Sequence, residues 1–108
     1  MARILIVEDE ASLLRVLLTY LTEIEQHEAV GVSTADDARD AAQLGPWDMV
    51  VTDRMLPEGE DGERLRSAFP GTRFLTMTGV DQWEADVRKP FSLEEIGAVI
   101  RARLAVAP

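Results

Sequence analysis

At 108 residues the chain has room for one domain of ordinary size and little for a second. Its formal net charge of −9 repels nucleic acid and anionic lipid, so any control of transcription would run through another protein or a domain outside this chain. With no cysteine, disulfides and thiolate metal sites are excluded and a reducing cytoplasm is the expected compartment; no apolar run suits a signal peptide or a membrane span.

Short apolar runs alternate with segments of helical periodicity. RILIV at 3–7 is apolar on both faces, as a central parallel strand would be. Residues 10–24 repeat Leu14, Leu17, Leu18 and Leu21 at helical spacing, and Leu13, Val16, Tyr20 and Ile24 widen that stripe. Such breadth means either deeper burial or a face for a partner. His27, between Gln26 and Glu28, reads as a solvated loop residue.

AVGV at 29–32 is a short strand, after which Ser33 or Thr34 can cap a helix with Asp36 and Asp37 in its first turn. That helix stops at Gly45-Pro46. MVVT at 49–52 is a third strand, and the turn PEGEDG leads into a short helix near 61–68, ended by Pro70-Gly71. RFLTM at 73–77 is a fourth strand, and a brief fifth lies around Val87. FSLEEIGAVIRARL is a helix with Ser92 as N-cap, Glu95 completing a capping box, and a stripe of Leu93, Ile96, Ile100 and Leu104. Met49, Met55 and Met77 are expected to fill gaps in the core and its loops. The alternation predicts an α/β fold on a parallel sheet.

In such a sheet functional groups gather at the carboxyl ends of the strands. Those ends here carry Glu8-Asp9, Asp53, Thr78-Gly79 and Lys89-Pro90. Taken singly, each has an ordinary explanation: a turn former, a helix start, a strand residue, a surface lysine. Together, three acids at one edge repel one another unless a cation joins them, and a hard divalent ion with oxygen ligands, Mg²⁺ above all, suits them. A carboxylate beside Mg²⁺, a hydroxyl and an ammonium is equipped to attack phosphorus and form an acyl phosphate.

With those residues in view, the chain resembles the receiver domain of two-component response regulators over almost its whole length. The markers occur in order: Glu8-Asp9, Asp53 followed by Pro57 and Gly62, Thr78, and Lys89-Pro90-Phe91. The resemblance implies a flavodoxin-like doubly wound sheet of five parallel strands in the order 2-1-3-4-5, with residues 1–108 forming a single receiver domain. It implies a phosphorylation-dependent switch in which Asp53 accepts phosphate from a histidine kinase or phosphotransfer protein. Asp9 and Asp53 would bind Mg²⁺ directly, Glu8 through water, and Met55 through its main-chain carbonyl. Thr78 and Lys89 would hold the phosphoryl oxygens, Gly79 would leave access to the acid, and the Lys89–Pro90 bond would be cis. Such a protein is not a turnover enzyme; it catalyses only its own phosphorylation and dephosphorylation. Its partners would be the phosphodonor and a downstream protein, with no direct nucleic acid or membrane, and a homodimer stays open. The short ending RARLAVAP reads as that of a stand-alone receiver.

The sequence also departs from the family. Ten residues separate Thr78 from Lys89, too few for a strand, a regular helix and two loops. The fourth helix is therefore expected to be absent or reduced to a turn near Asp81–Glu84, with Trp83 folded back over the sheet surface it would have covered. The switch aromatic three residues before the lysine is replaced by Asp86, and PEGEDG is a residue longer than usual. These departures motivate a second reading, a receiver-like interaction module that is never phosphorylated. A phosphohydrolase of the haloacid dehalogenase type also uses Asp, Thr and Lys, but its second acid falls where Met55 stands, and the chain is short for a cap domain.

Overall fold

The computed structural model describes all residues 1–108. Five parallel strands, β1 (Arg3–Val7), β2 (Glu28–Val32), β3 (Met49–Asp53), β4 (Arg73–Thr78) and β5 (Val87–Arg88), form one sheet in the order β2-β1-β3-β4-β5. The flanking helices are α1 (Ala11–Thr19), α2 (Ala35–Ala41) and α3 (Leu93–Leu104). Thr34 caps α2 by accepting from Asp37 N, and Ser92 with Glu95 closes the expected box at α3. The peptide bonds before Pro46 and Pro90 are cis.

Alternating side chains divide the strands between two cores. Ile4, Ile6, Met49, Val51, Leu75 and Met77 meet Leu17 and Leu21 of the first helical segment and Ile96 and Ile100 of α3. Leu5, Val7 and Val50 face Ala38 of α2 together with Leu65 and Phe69. Burial of each large aliphatic side chain contributes about 1.5–3 kcal/mol, which holds the strand ends rigidly enough to aim a site.

Local geometry departs from regular α-helices at several places. The first helix continues past Thr19 as a π-helical turn, Tyr20–Ile24. The segment Gly62–Ala68 is 3₁₀ throughout, capped by Asp61. The helix between β4 and β5 is missing, as expected: only a turn at Asp81–Gln82 remains. Trp83 does not behave as expected. It is half-buried but joins neither core; its ring lies under the Arg54 guanidinium, 4.8 Å away. The reason is visible in the sheet, whose surface there is polar, with Thr76 and Arg88 where an indole would need apolar partners.

The wide stripe of the first helix is buried in part and exposed in part. Leu13 and Tyr20 pack on the core, Tyr20 against the gap left by Gly97, whereas Val16 and Ile24 stay exposed beside a groove of about 270 Å³. His27 is tied down more than expected: it is half-buried and its Nδ1 accepts from Ala2 N at 3.0 Å. Met49 and Met77 fill the core; Met55 does not, and is 56% exposed.

Candidate functional site

β1 ends in Glu8-Asp9 and β3 in Asp53, neighbours in the sheet, so their carboxylates converge at one edge. One oxygen from each of Glu8, Asp9 and Asp53 falls within 4.8 Å of the others. Glu8 and Asp53 are buried and Asp9 is exposed. Lys89 reaches in from the end of β5, donating to Glu8 Oε1 at 2.7 Å and Asp53 Oδ2 at 3.0 Å. Glu8 Oε2 also accepts from Glu10 N.

Burial pushes the Glu8 carboxyl above its ordinary value, although the hydrogen bond from Lys89 opposes that shift. Burial alone would lower the Lys89 ammonium; its bonds to Glu8 and Asp53 outweigh this and leave it raised, so it stays charged at neutral pH. Three carboxylates against one ammonium leave the cluster two charges negative when all are ionised. One divalent cation would balance it, and the donor set, all oxygen, fits a hard ion.

The acids open onto a hollow of about 520 Å³ lined by Asp9, Asp53, Met55, Leu56, Pro57, Gly79, Val80 and Lys89. Met55 lies on its rim, and its main-chain carbonyl is free of backbone hydrogen bonds. The long turn is built by a 3₁₀ turn at Pro57–Gly59 with positive φ at Glu58 and Gly59, closed by Leu56 N donating to Glu60 O. A Cβ on Gly79 would only touch Lys89 Cβ at 3.7 Å, ordinary contact. Gly62 is the tight position. A Cβ there would collide with the Asp53 carbonyl oxygen and sit 2.6 Å from Thr52 Oγ1.

Thr78, like Glu8, is an expected residue that does not line the hollow. It follows Met77, the register partner of Asp53, and is buried, with Oγ1 accepting from Val80 N at 3.1 Å. Asp86 is engaged rather than poised: Oδ2 accepts from Thr76 N and Thr76 Oγ1, and Oδ1 from Arg103. It therefore takes a backbone donor that a longer β5 would have satisfied.

Two residues without an expected role complete the surroundings. Arg54 and Arg88 flank Asp53 and Lys89 in the chain and donate to the loop between β4 and β5, Arg54 to Glu84 O and Arg88 to Val80 O and Trp83 O. The signal for them was present in the sequence. A loop too short for a helix leaves carbonyls in need of donors, and the two arginines beside it are the obvious source.

No protein-family model matches the chain. Among curated proteins, it is 38% identical over 115 aligned positions to the transcriptional regulatory protein TcrA of Mycobacterium tuberculosis, covering 93% of this chain and 45% of TcrA. The chain spans about half the length of the curated relatives it matches. Among solved structures, a CheY-like response regulator receiver domain from Methanospirillum hungatei superposes with a TM-score of 0.85 and 26% identity, over 97% of this chain and 94% of that one. The chain is a response-regulator receiver domain. A further receiver-fold neighbour is the response regulator TrrA of Thermotoga maritima, solved with Mg²⁺ and beryllofluoride (TM-score 0.80, 23% identity, 95% of this chain and 99% of that one). The expected fold class and strand order hold, with the fourth helix shortened, and the family places this receiver in two-component signalling. No helix is long and apolar enough to cross a membrane.

Proposed function

We propose that this receiver is a phosphorylation switch that accepts a phosphoryl group on Asp53 from a histidine kinase or phosphotransfer protein, in the cytoplasm and with Mg²⁺. The observation that carries the reading is the cluster of Glu8, Asp9 and Asp53 bridged by Lys89 at the mouth of an open hollow. Asp9, Asp53 and the Met55 carbonyl would hold the ion, with Glu8 behind them; bound there, the ion offsets charge on the phosphoryl oxygens. Lys89 holds Asp53 Oδ2, leaving Oδ1 for attack. The new O–P bond forms as the P–N bond of the donor phosphohistidine breaks, and its electron pair leaves on the imidazole nitrogen, which takes a proton. Lys89 and Thr78 then donate to phosphoryl oxygens, Thr78 after its hydroxyl turns toward the hollow. On this reading the chain turns over no other substrate.

Intact mass after incubation with acetyl phosphate tests it. One phosphoryl adduct is expected, dependent on Mg²⁺ and absent from Asp53→Asn. A protein that stays unmodified, and that also forms no beryllofluoride complex, is not this switch. A second reading, an interaction module that is never phosphorylated, draws on Asp86, whose ties to Thr76 and Arg103 occupy the place of the switch aromatic. It requires Asp53→Asn to retain full biological activity.

A further inference from the structure

Met55 offers its carbonyl from a short hairpin whose base is closed by side chains as well as by the main chain. The chain turns back through Glu58 and Gly59, both at positive φ, and Glu58 is strained there because it carries a side chain. Met55 stands opposite Asp61 in an antiparallel bridge. The bonds on either side of that pair run from Gly62 N to Arg54 O at 2.7 Å and from Leu56 N to Glu60 O at 3.0 Å. Met55 and Asp61 are therefore a non-hydrogen-bonded pair, in which neither carbonyl bonds its opposite residue. The Met55 carbonyl is left unused by the hairpin, at the rim of the hollow lined by Asp9 and Asp53.

A side-chain fork spans the same base. Arg54 Nε donates to Asp61 Oδ1 at 3.1 Å and Nη2 to Oδ2 at 2.6 Å. Such a two-point match fixes the orientation of both groups, and this pair is partly buried, which limits screening by salt. Each partner is also anchored outside the hairpin. Arg54 N donates to Met77 O of β4 at 2.8 Å, and its guanidinium lies over the Trp83 ring. Asp61 Oδ1 accepts from Glu63 N at the start of the 3₁₀ segment.

We propose that the Arg54–Asp61 fork is a clasp that positions the Met55 carbonyl for the divalent ion, which makes both side chains positioning residues for metal binding. The proposal rests on the phosphorylation reading above, in which Met55 supplies one ligand. Mg²⁺ takes its ligands at about 2.0–2.1 Å in near-octahedral geometry, so a carbonyl that drifts gives way to water. Without the fork, two main-chain bonds alone hold the base of the hairpin against the strain at Glu58.

Clasp and charge act with opposite sign at Arg54. Its guanidinium is a cation beside an acid cluster, so by charge alone its removal tightens Mg²⁺ binding, whereas loss of a clasp weakens it. The test measures the Mg²⁺ dissociation constant of the full chain by titration calorimetry. In parallel, NMR follows the chain labelled with ¹³C at its methionine carbonyls. The native chain should bind one Mg²⁺ and shift one of four methionine signals, the one missing from Met55→Leu. Arg54→Met, Asp61→Asn and the charge-conserving Arg54→Lys should each weaken binding about 10-fold. Arg54→Met or Arg54→Lys binding Mg²⁺ at least as tightly as the native chain overturns the clasp and leaves phosphorylation intact. So does a native chain that binds Mg²⁺ without moving the Met55 signal. A native chain that binds no Mg²⁺ overturns the Mg²⁺-dependent reading, and the clasp with it.

Discussion

Substitution of Gly62 by alanine puts the steric argument at the site under the sharpest strain. Gly62 N donates to Arg54 O at 2.7 Å, which draws its Cα against the end of β3. An added Cβ would collide with the Asp53 carbonyl oxygen, lie 2.6 Å from Thr52 Oγ1 and 3.1 Å from the Asp53 carbonyl carbon. Ordinary non-bonded separation is about 3.5 Å, so the two backbones must part by roughly 1.5 Å. Neither side gives easily: Thr52 is fully buried and its hydroxyl donates to that same carbonyl at 2.9 Å. Overpacking of this kind costs about 1–3 kcal/mol, equivalent to roughly 4–20 °C in melting temperature for a domain of this size. A displacement of about 1 Å in a reacting group can slow reaction about 100-fold. The assay pairs thermal melting with the rate of adduct formation from acetyl phosphate under Mg²⁺. A Gly62→Ala protein that melts with the wild type and is phosphorylated at the wild-type rate would refute the claim that this glycine sets the position of Asp53.

Other expected outcomes rest on the same geometry. Mg²⁺ at ten times its dissociation constant should stabilise the fold by about 1.4 kcal/mol, raising the melting temperature by several degrees, and Asp9→Asn should remove most of that rise. Lys89→Ala leaves Glu8 and Asp53 facing each other without a counter-charge; thermal melts should show a loss on the order of 3 kcal/mol, partly recovered by Mg²⁺. Asp86→Ala strips Thr76 N of its acceptor and Arg103 of its ion pair, and denaturant unfolding should report a loss of about 1–3 kcal/mol. Hydrogen bonding from Arg54 holds the Asp61 carboxyl below its ordinary value. Its contribution is therefore complete above the unfolded aspartate value of about 3.9 and disappears as pH falls through the lower folded value. The difference in melting temperature between wild type and Asp61→Asn should accordingly narrow as the pH is lowered below about 4, and a constant difference would contradict it.

The sheet and the acid cluster were legible in the sequence because both rest on local pattern. Ile4 to Val7 and Met49 to Val51 are apolar on both faces, so they could only be central strands, and the residues just past a strand's last apolar position must lie at the sheet edge. Ser92 and Glu95 announce α3 by their own side chains. What could not be read depends on contacts distant in sequence. The 3₁₀ form of Gly62–Ala68 is associated with the close seat of Gly62 on β3, and nothing in GERLRSA itself specifies it. Exposure of Met55 depends on how Pro57–Gly59 folds back to Glu60. Asp9 and Lys89 were easily placed at the site, whereas the bond that the Thr78 hydroxyl accepts from Val80 N could not be read from the sequence.

The missing helix and the missing aromatic are consequences of one change in the sheet. A helix packed over β4 and β5 needs an apolar face beneath it. Here that face offers Thr76 and Arg88, with Asp86 at its margin, and the nearest large apolar ring on β4, Phe74, is covered by the Arg66 guanidinium at 4.6 Å. An aromatic at position 86 would have no reason to move between two apolar positions on such a surface, and the backbone donor of Thr76 would lose its partner. Once Asp86 satisfies Thr76, the strand can stop at two residues and the crossover can shorten to a loop. The carbonyls freed by the lost helix then need donors, which Arg54 and Arg88 provide. Because those arginines adjoin Asp53 and Lys89, the repair that stabilises the loop also attaches it to the acid cluster proposed for phosphorylation. Reverting one element alone, for example Asp86→Tyr in the present loop, should destabilise the domain without restoring an aromatic switch. An Asp86→Tyr protein as stable as wild type would show that the polar face and the short loop are independent of each other.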